Sequence, residues 1–248
     1  TPADGTALRP LWNTLLVNQF HDILPGSCIA AANDRSLHDM AEMLHTGSEL
    51  LRSWFAPAQN CYTVLNPLDE PCRDVFYLPQ IASGFIAQEP GVTLQNVVLA
   101  DGTAATAVYG LERPALGAAV LHFGPGEQPA QTSHFVYDGK PLTTPLLQVQ
   151  LDELGRITSL VTRADGMQWA DGPMNTLLMA EDVSAGWDGW DIDADCMMKL
   201  QPAARLTKQT VTADGPQEFR LHSRYELGTA TILEQDMIFR AESTLVEW

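Results

Sequence analysis

His21 and Asp22 stand side by side just ahead of Leu24-Pro25-Gly26-Ser27. An imidazole suits zinc, and a neighbouring carboxylate can bind a substrate hydroxyl or orient the ring. A helix end whose His meets the dipole and whose Asp faces water carries the same local pattern. Zinc usually takes three or four protein ligands, yet CxxC, HExxH and HxH spacings do not occur, and His38, His45, His122, His134 and His222 are scattered. A metal held by His21 therefore needs ligands from outside this chain. The second unusual stretch, Glu181 to Asp195, contains Trp187, Asp188, Trp190 and Asp191. Asp191, Asp193 and Asp195 begin like an EF-hand calcium loop, but the positions that need Gly and Glu hold Cys196 and Pro202, which rejects that reading. Two indoles flanked by carboxylates suit a sugar, whose ring face packs on the indole and whose hydroxyls reach the acids; a seam between domains would use the same indoles. No serine-hydrolase elbow, phosphate-binding loop or dinucleotide fingerprint is present.

The elements that must position these residues follow from periodicity. Leu8, Leu11, Trp12, Leu15 and Leu16 predict an amphipathic helix from Leu8 to Phe20, with Pro10 in its first turn and His21 and Asp22 at its C-terminus. Leu24-Pro25-Gly26-Ser27 ends it, and Leu37, Met40, Leu44, Leu51 and Trp54 predict a second, antiparallel helix over 30–55. Beyond Pro57 the apolar period falls from about 3.6 to 2. Leu147, Val149 and Leu151 alternate with polar residues before a returning strand at 157–162, and Phe219, Leu221, Tyr225 and Leu227 alternate with Arg220, His222, Arg224 and Glu226. The stretch from Phe123 to Pro129 reads as a loop. The expected fold is α+β: a short antiparallel helical segment over 1–57, then a mainly antiparallel β-sandwich region over 58–248.

With 14 Lys and Arg against 31 Asp and Glu, the formal charge of −17 argues against nucleic acid or an anionic membrane as partner. At 45% hydrophobic and 18% charged residues the chain is globular in balance, and no run is long and apolar enough to span a bilayer. Four dispersed cysteines suit free thiols in a reducing, cytoplasmic setting, with a Cys61–Cys72 disulfide as the minor alternative. The start at Thr1 and the alternating end at Leu245 to Trp248 suggest a piece of a longer protein.

Three motifs, Trp12 to Ser27 (WNTLLVNQFHDILPGS), Val64 to Pro67 (VLNP) and Glu181 to Asp193 (EDVSAGWDGWDID), occur in an order that resembles glycoside hydrolase family 38, the zinc-dependent retaining α-mannosidases, in their cytosolic or vacuolar branch. The resemblance implies that His21 is a zinc ligand and that Asp22 contacts mannose hydroxyls beside the metal. It implies that the nucleophile, the acid/base aspartate and the other zinc ligands lie in an absent N-terminal α/β domain against which this chain packs. The catalytic residues are thus outside this chain, which is expected to be inactive alone; Trp187, Asp188, Trp190 and Asp191 are its further candidates for substrate contact. Gly189 departs from the Ala more frequent in relatives. The expected partner is a mannose-containing glycan or mannoside, and a homo-oligomer is compatible with all of this. The rival reading is a non-catalytic carbohydrate-binding or scaffold β-sandwich module.

Overall fold

Apolar residues three and four apart build helix α1, Gly5–Asn18, and helix α2, Ala30–Trp54. The computed structural model of the chain describes residues 5–55, 59–187 and 189–248. Helix α1 begins before the expected Leu8 because Gly5, Thr6 and Ala7 extend it upstream, so Pro10 lies inside the helix rather than in its first turn. It also ends at Asn18, ahead of the expected Phe20, which moves His21 and Asp22 off the helix. Leu8, Leu11, Trp12 and Leu15 share a groove with Met43, Leu44, Leu51 and Trp54. The start of α1 thus lies beside the end of α2, the arrangement of an antiparallel pair. Leu16, Val17 and Leu37 are exposed, and Leu44 stays largely exposed even though it lines the groove.

The remaining elements, in chain order, are β1 Cys61–Asn66, β2 Phe76–Pro79, β3 Phe85–Ala87, β4 Thr93–Val98, β5 Ala104–Tyr109, β6 Gly117–Pro125, β7 Val136–Tyr137 and β8 Pro141–Thr143. They continue with β9 Leu147–Leu151, β10 Ile157–Thr162, β11 Leu178–Met179, the short helix α3 Cys196–Lys199 and β12 Gln201–Pro202. The last four are β13 Ala204–Asp214, β14 Glu218–Leu227, β15 Thr231–Arg240 and β16 Val246–Glu247. Their pairings are antiparallel, as period-2 strands joined by short turns require. The sheets β1-β6-β3 and β2-β5-β4 enclose Leu94, Val108, Leu111, Leu121 and Phe123. The sheets β10-β9-β8-β7 and β13-β14-β15-β16 enclose a larger core of Leu147, Leu151, Ile157, Phe219, Leu221 and Phe239. The fold is α+β with a β-sandwich region, as the periodicities indicate.

Two details differ from the sequence reading, and a third decides between its alternatives. Ala180–Lys199, inside the expected β region, groups with the helical residues 1–59, while Asn60–Met179 and Leu200–Trp248 form the β unit. Phe123 to Pro125 extend β6 and pair with β3, so the loop begins only after Pro125. All four cysteines are free thiols, as their dispersed spacing suggests, and the minor alternative of a Cys61–Cys72 disulfide falls away. The expected boundary between residues 57 and 58 lies outside the described residues.

The polar side chains of β14 are also not all on a solvated face. Glu218 is fully buried and accepts hydrogen bonds from Tyr77 Oη at 2.9 Å and Tyr109 Oη at 2.8 Å, with Arg240 Nη1 at 2.9 Å. Buried Arg220 donates to Glu218 Oε1 at 2.9 Å and to Asp236 Oδ2 at 2.8 Å. Gln95 from β4 closes the network, its amide bonded to both backbone groups of Glu218. A Cβ on Gly215 would lie 2.5 Å from Gln95 Cδ, so glycine is what lets that amide approach. Tyrosines and an amide from one pair of sheets thereby satisfy charges carried by the other.

Candidate functional site

The turn after α1 is built by backbone bonds. Ile23 N and Leu24 N both donate to Phe20 O, at 2.9 and 3.1 Å, and Gly26 N donates to Ile23 O at 3.1 Å. Gly26 has φ of 78°, the left-handed conformation that glycine adopts without strain. His21 and Asp22 are therefore the two central residues of the Phe20–Ile23 turn, whose side chains point outward. His21 Nε2 lies 3.7 Å from Asp22 Oδ2, with the imidazole side chain 65% exposed. The Phe20 ring, centred 4.2 Å from that of His21, limits where the imidazole can swing.

The tryptophan loop reaches this turn within the same unit. Trp187 O accepts from Trp190 N at 2.7 Å and Asp191 N at 3.0 Å, which folds the loop into a tight turn. Trp187 itself has φ of 60°, a conformation that costs a residue with a Cβ about 1–2 kcal/mol. Asp193 Oδ2 accepts from Ala185 N at 3.1 Å and ties the two sides of the loop together. The Trp190 ring is then centred 5.7 Å from that of His21, and its Nε1 donates to Ser27 Oγ at 3.1 Å. Ser27 Oγ in turn reaches Asp22 Oδ1 at 3.5 Å. At the loop's outgoing end Lys199 Nζ pairs with Asp195 Oδ2 at 2.8 Å. That hydrogen bond, with the Asp193 and Glu181 charges behind it, raises the ammonium pKa.

His21, Asp22 and Trp190 are thus brought together. Trp187 contributes through its backbone and leaves an indole that is 80% exposed, while the Asp191 carboxylate accepts from Ile192 N at 2.9 Å. Asp188 lies outside the described residues. Ser27 closes the Trp12 to Ser27 motif, but the sequence reading assigns it no role.

An imidazole and a carboxylate on adjacent residues are donors that zinc takes, and both are accessible here. Among the described residues, no three His, Cys, Asp or Glu side chains gather closely enough to hold a metal ion. The pair fits as one edge of a metal site rather than as its whole shell.

Residues 3–56 match the family model described as the alpha mannosidase middle domain, and residues 142–247 match that of the glycosyl hydrolases family 38 C-terminal domain. Among curated proteins, the chain is 29% identical over 199 residues to human (Homo sapiens) alpha-mannosidase 2C1 and 27% identical over 193 residues to the mouse (Mus musculus) protein. Each alignment covers 75% of this chain and 17% of the relative, so the chain spans about a sixth of their length. In fold it is similar to a glycosyl hydrolase family 38 protein from Enterococcus faecalis, with a TM-score of 0.58, 10% identity, and coverage of 98% of this chain and 38% of that one. An alpha-mannosidase from Enterococcus faecalis V583 gives a TM-score of 0.59 at 11% identity, over 96% of this chain and 36% of that one. Among the described residues, no helix is long and apolar enough to cross a membrane.

Proposed function

We propose that this chain, which matches the family 38 middle-domain and C-terminal-domain models, is part of a zinc-dependent retaining α-mannosidase to which it contributes one side of the mannose site. The observation that supports this is the His21–Asp22 turn, with both side chains outward and Trp190 laid against the imidazole. In this reading His21 offers Nε2 as a zinc ligand from the helical side, and Asp22 takes a hydroxyl of the terminal mannose. Zinc, when bound there, supplies Lewis-acid polarisation of the sugar oxygens. Trp190 holds the imidazole plane, and Trp187 and Asp191 extend the sugar-facing surface. The aspartate that attacks the anomeric carbon and the acid that protonates the leaving oxygen come from the family's N-terminal domain, so hydrolysis needs that domain. The substrates are mannose-containing glycans or mannosides, and the four free thiols favour a reducing compartment such as the cytoplasm.

The test pairs the isolated chain with the full-length protein. The chain alone should keep no zinc through dialysis against a chelator and should release nothing from an aryl α-mannoside, because one imidazole and one carboxylate make an incomplete shell. In the full-length enzyme, Asp22→Asn should keep its zinc and lose about 10- to 100-fold in turnover, the effect of removing one charged hydrogen bond. Wild-type turnover in Asp22→Asn would reduce the pair to an ordinary turn. Mannoside binding by a full-length protein that hydrolyses none would favour the carbohydrate-binding module.

A further inference from the structure

We infer that Ser27 is a positioning residue: its hydroxyl, anchored by the Trp190 indole, aims the carboxylate of Asp22. The inference rests on the mannosidase reading for its consequence, but the contact itself stands on geometry. Indole Nε1–H is a donor only, so at 3.1 Å Ser27 Oγ must be the acceptor. A hydroxyl has one proton and two lone pairs, and with one lone pair taken by the Trp190 N–H its proton is left to donate to Asp22 Oδ1 at 3.5 Å. The carboxylate is then bracketed, Oδ1 by Ser27 and Oδ2 by the His21 ring 3.7 Å away. The 3.5 Å contact is long, as hydrogen bonds around reacting groups are before ligand tightens them.

Two further observations favour a built contact over a chance one. Trp190 is 52% exposed, so its direction is not dictated by burial in a core; it touches both members of the pair, the ring on His21 and the N–H through Ser27. Gly189 lies where its Cβ would be 3.4 Å from Ser27 Cβ, which brings the loop backbone directly against the serine. Trp190 and Ser27 are thus a brace from the loop to the turn, fixing the orientation of a carboxylate that is otherwise half exposed.

The experiment uses the full-length protein with Ser27→Ala, Ser27→Thr, Trp190→Phe and the double variant Ser27→Ala/Trp190→Phe. Ser27→Ala should lower kcat roughly tenfold with its zinc content unchanged, the usual effect of deleting a residue that orients a functional one. Ser27→Thr keeps the hydroxyl and should restore most of the loss. Trp190→Phe keeps a ring against His21 but deletes the donor, so the double variant should be no slower than the worse single one. A second readout needs no activity: in NMR spectra of the same protein, the Trp190 indole N–H resonance should move in Ser27→Ala and, through the serine, in Asp22→Asn. Wild-type kcat in Ser27→Ala, equal impairment in Ala and Thr variants, additive losses in the double variant, or an indole resonance indifferent to Asp22→Asn would overturn the inference. If the wild-type protein hydrolyses no mannoside, the mannosidase reading fails, while the indole resonance still decides whether the brace exists.

Discussion

Gly189 shows how one side chain can tune the loop that touches His21. Its added Cβ would meet Ser27 Cβ at 3.4 Å and Pro25 O at 3.9 Å, both ordinary contacts, and its φ lies outside the left-handed region. Gly189→Ala should therefore be accommodated and should stabilise the helical unit by about 0.4–1 kcal/mol, by reducing the freedom of the unfolded chain. Thermal unfolding followed by tryptophan fluorescence would check this, and a lower midpoint would show that the loop needs glycine's freedom. His21 and Asp22 were legible in the sequence because an imidazole and a carboxylate stand next to each other before a Pro-Gly turn. Ser27 was not, because its partner Trp190 is distant in sequence and no local pattern couples a hydroxyl to an indole. The structure also corrects the support of the pair: a tight turn, not the last turn of a helix, presents it.

Strand β14 illustrates what alternation can and cannot say. Phe219, Leu221 and Tyr225 do point into the core, as period 2 requires, but alternation identifies a face without saying what covers it. Arg220 is covered, and His222 is clamped, its Nδ1 at 2.7 Å from Asp236 Oδ1 and its Nε2 at 2.5 Å from Glu234 Oε2. Arg220 and Arg224 complete the charges around these carboxylates. Burial opposes the imidazolium, but the hydrogen bonds to Asp236 and Glu234 outweigh it and raise the His222 pKa. Its contribution to stability is then fully present below the unfolded value near 6.5 and is lost as pH rises through the higher folded value. Glu234 runs the other way. His222 and Arg224 lower its pKa, so its contribution is present above the unfolded value near 4.5 and is lost as pH falls through the folded one. Urea midpoints should therefore be highest between these limits and decline toward alkaline pH, and His222→Gln should flatten the alkaline decline. An unchanged alkaline slope in that variant would place the titration elsewhere.

The β unit and the helical unit rest on different sources of stability. The β unit has its own cores and a buried charge network, in which Glu218 satisfies Tyr77, Tyr109, Arg220 and Arg240 at once. Removing that carboxylate leaves Tyr77 and Tyr109 without their shared acceptor and Arg220 and Arg240 with only Asp236 and Glu247 as partners, so Glu218→Ala should cost about 3 kcal/mol in urea denaturation, and Glu218→Gln less. A loss below 1 kcal/mol would mean that water replaces the carboxylate. The helical unit presents Leu16, Val17, Leu37 and Leu44 to solvent and has little buried apolar surface of its own. The sequence showed the change of period that separates helices from strands, and two indoles among four carboxylates in Trp187 to Asp195 called for a partner surface at the helical segment; that the whole of residues 180–199 groups with the helices depends on tertiary contacts rather than on periodicity. It is this grouping that sets Trp190 beside His21, so the assignment of His21 to the metal is the claim on which the rest depends. The most direct measurement is the zinc content of the full-length protein and its His21→Ala variant after dialysis against a chelator, with both folded by circular dichroism. Wild type should retain stoichiometric zinc and His21→Ala should lose most of it; equal zinc in the two proteins, or none in the wild type, would contradict the account.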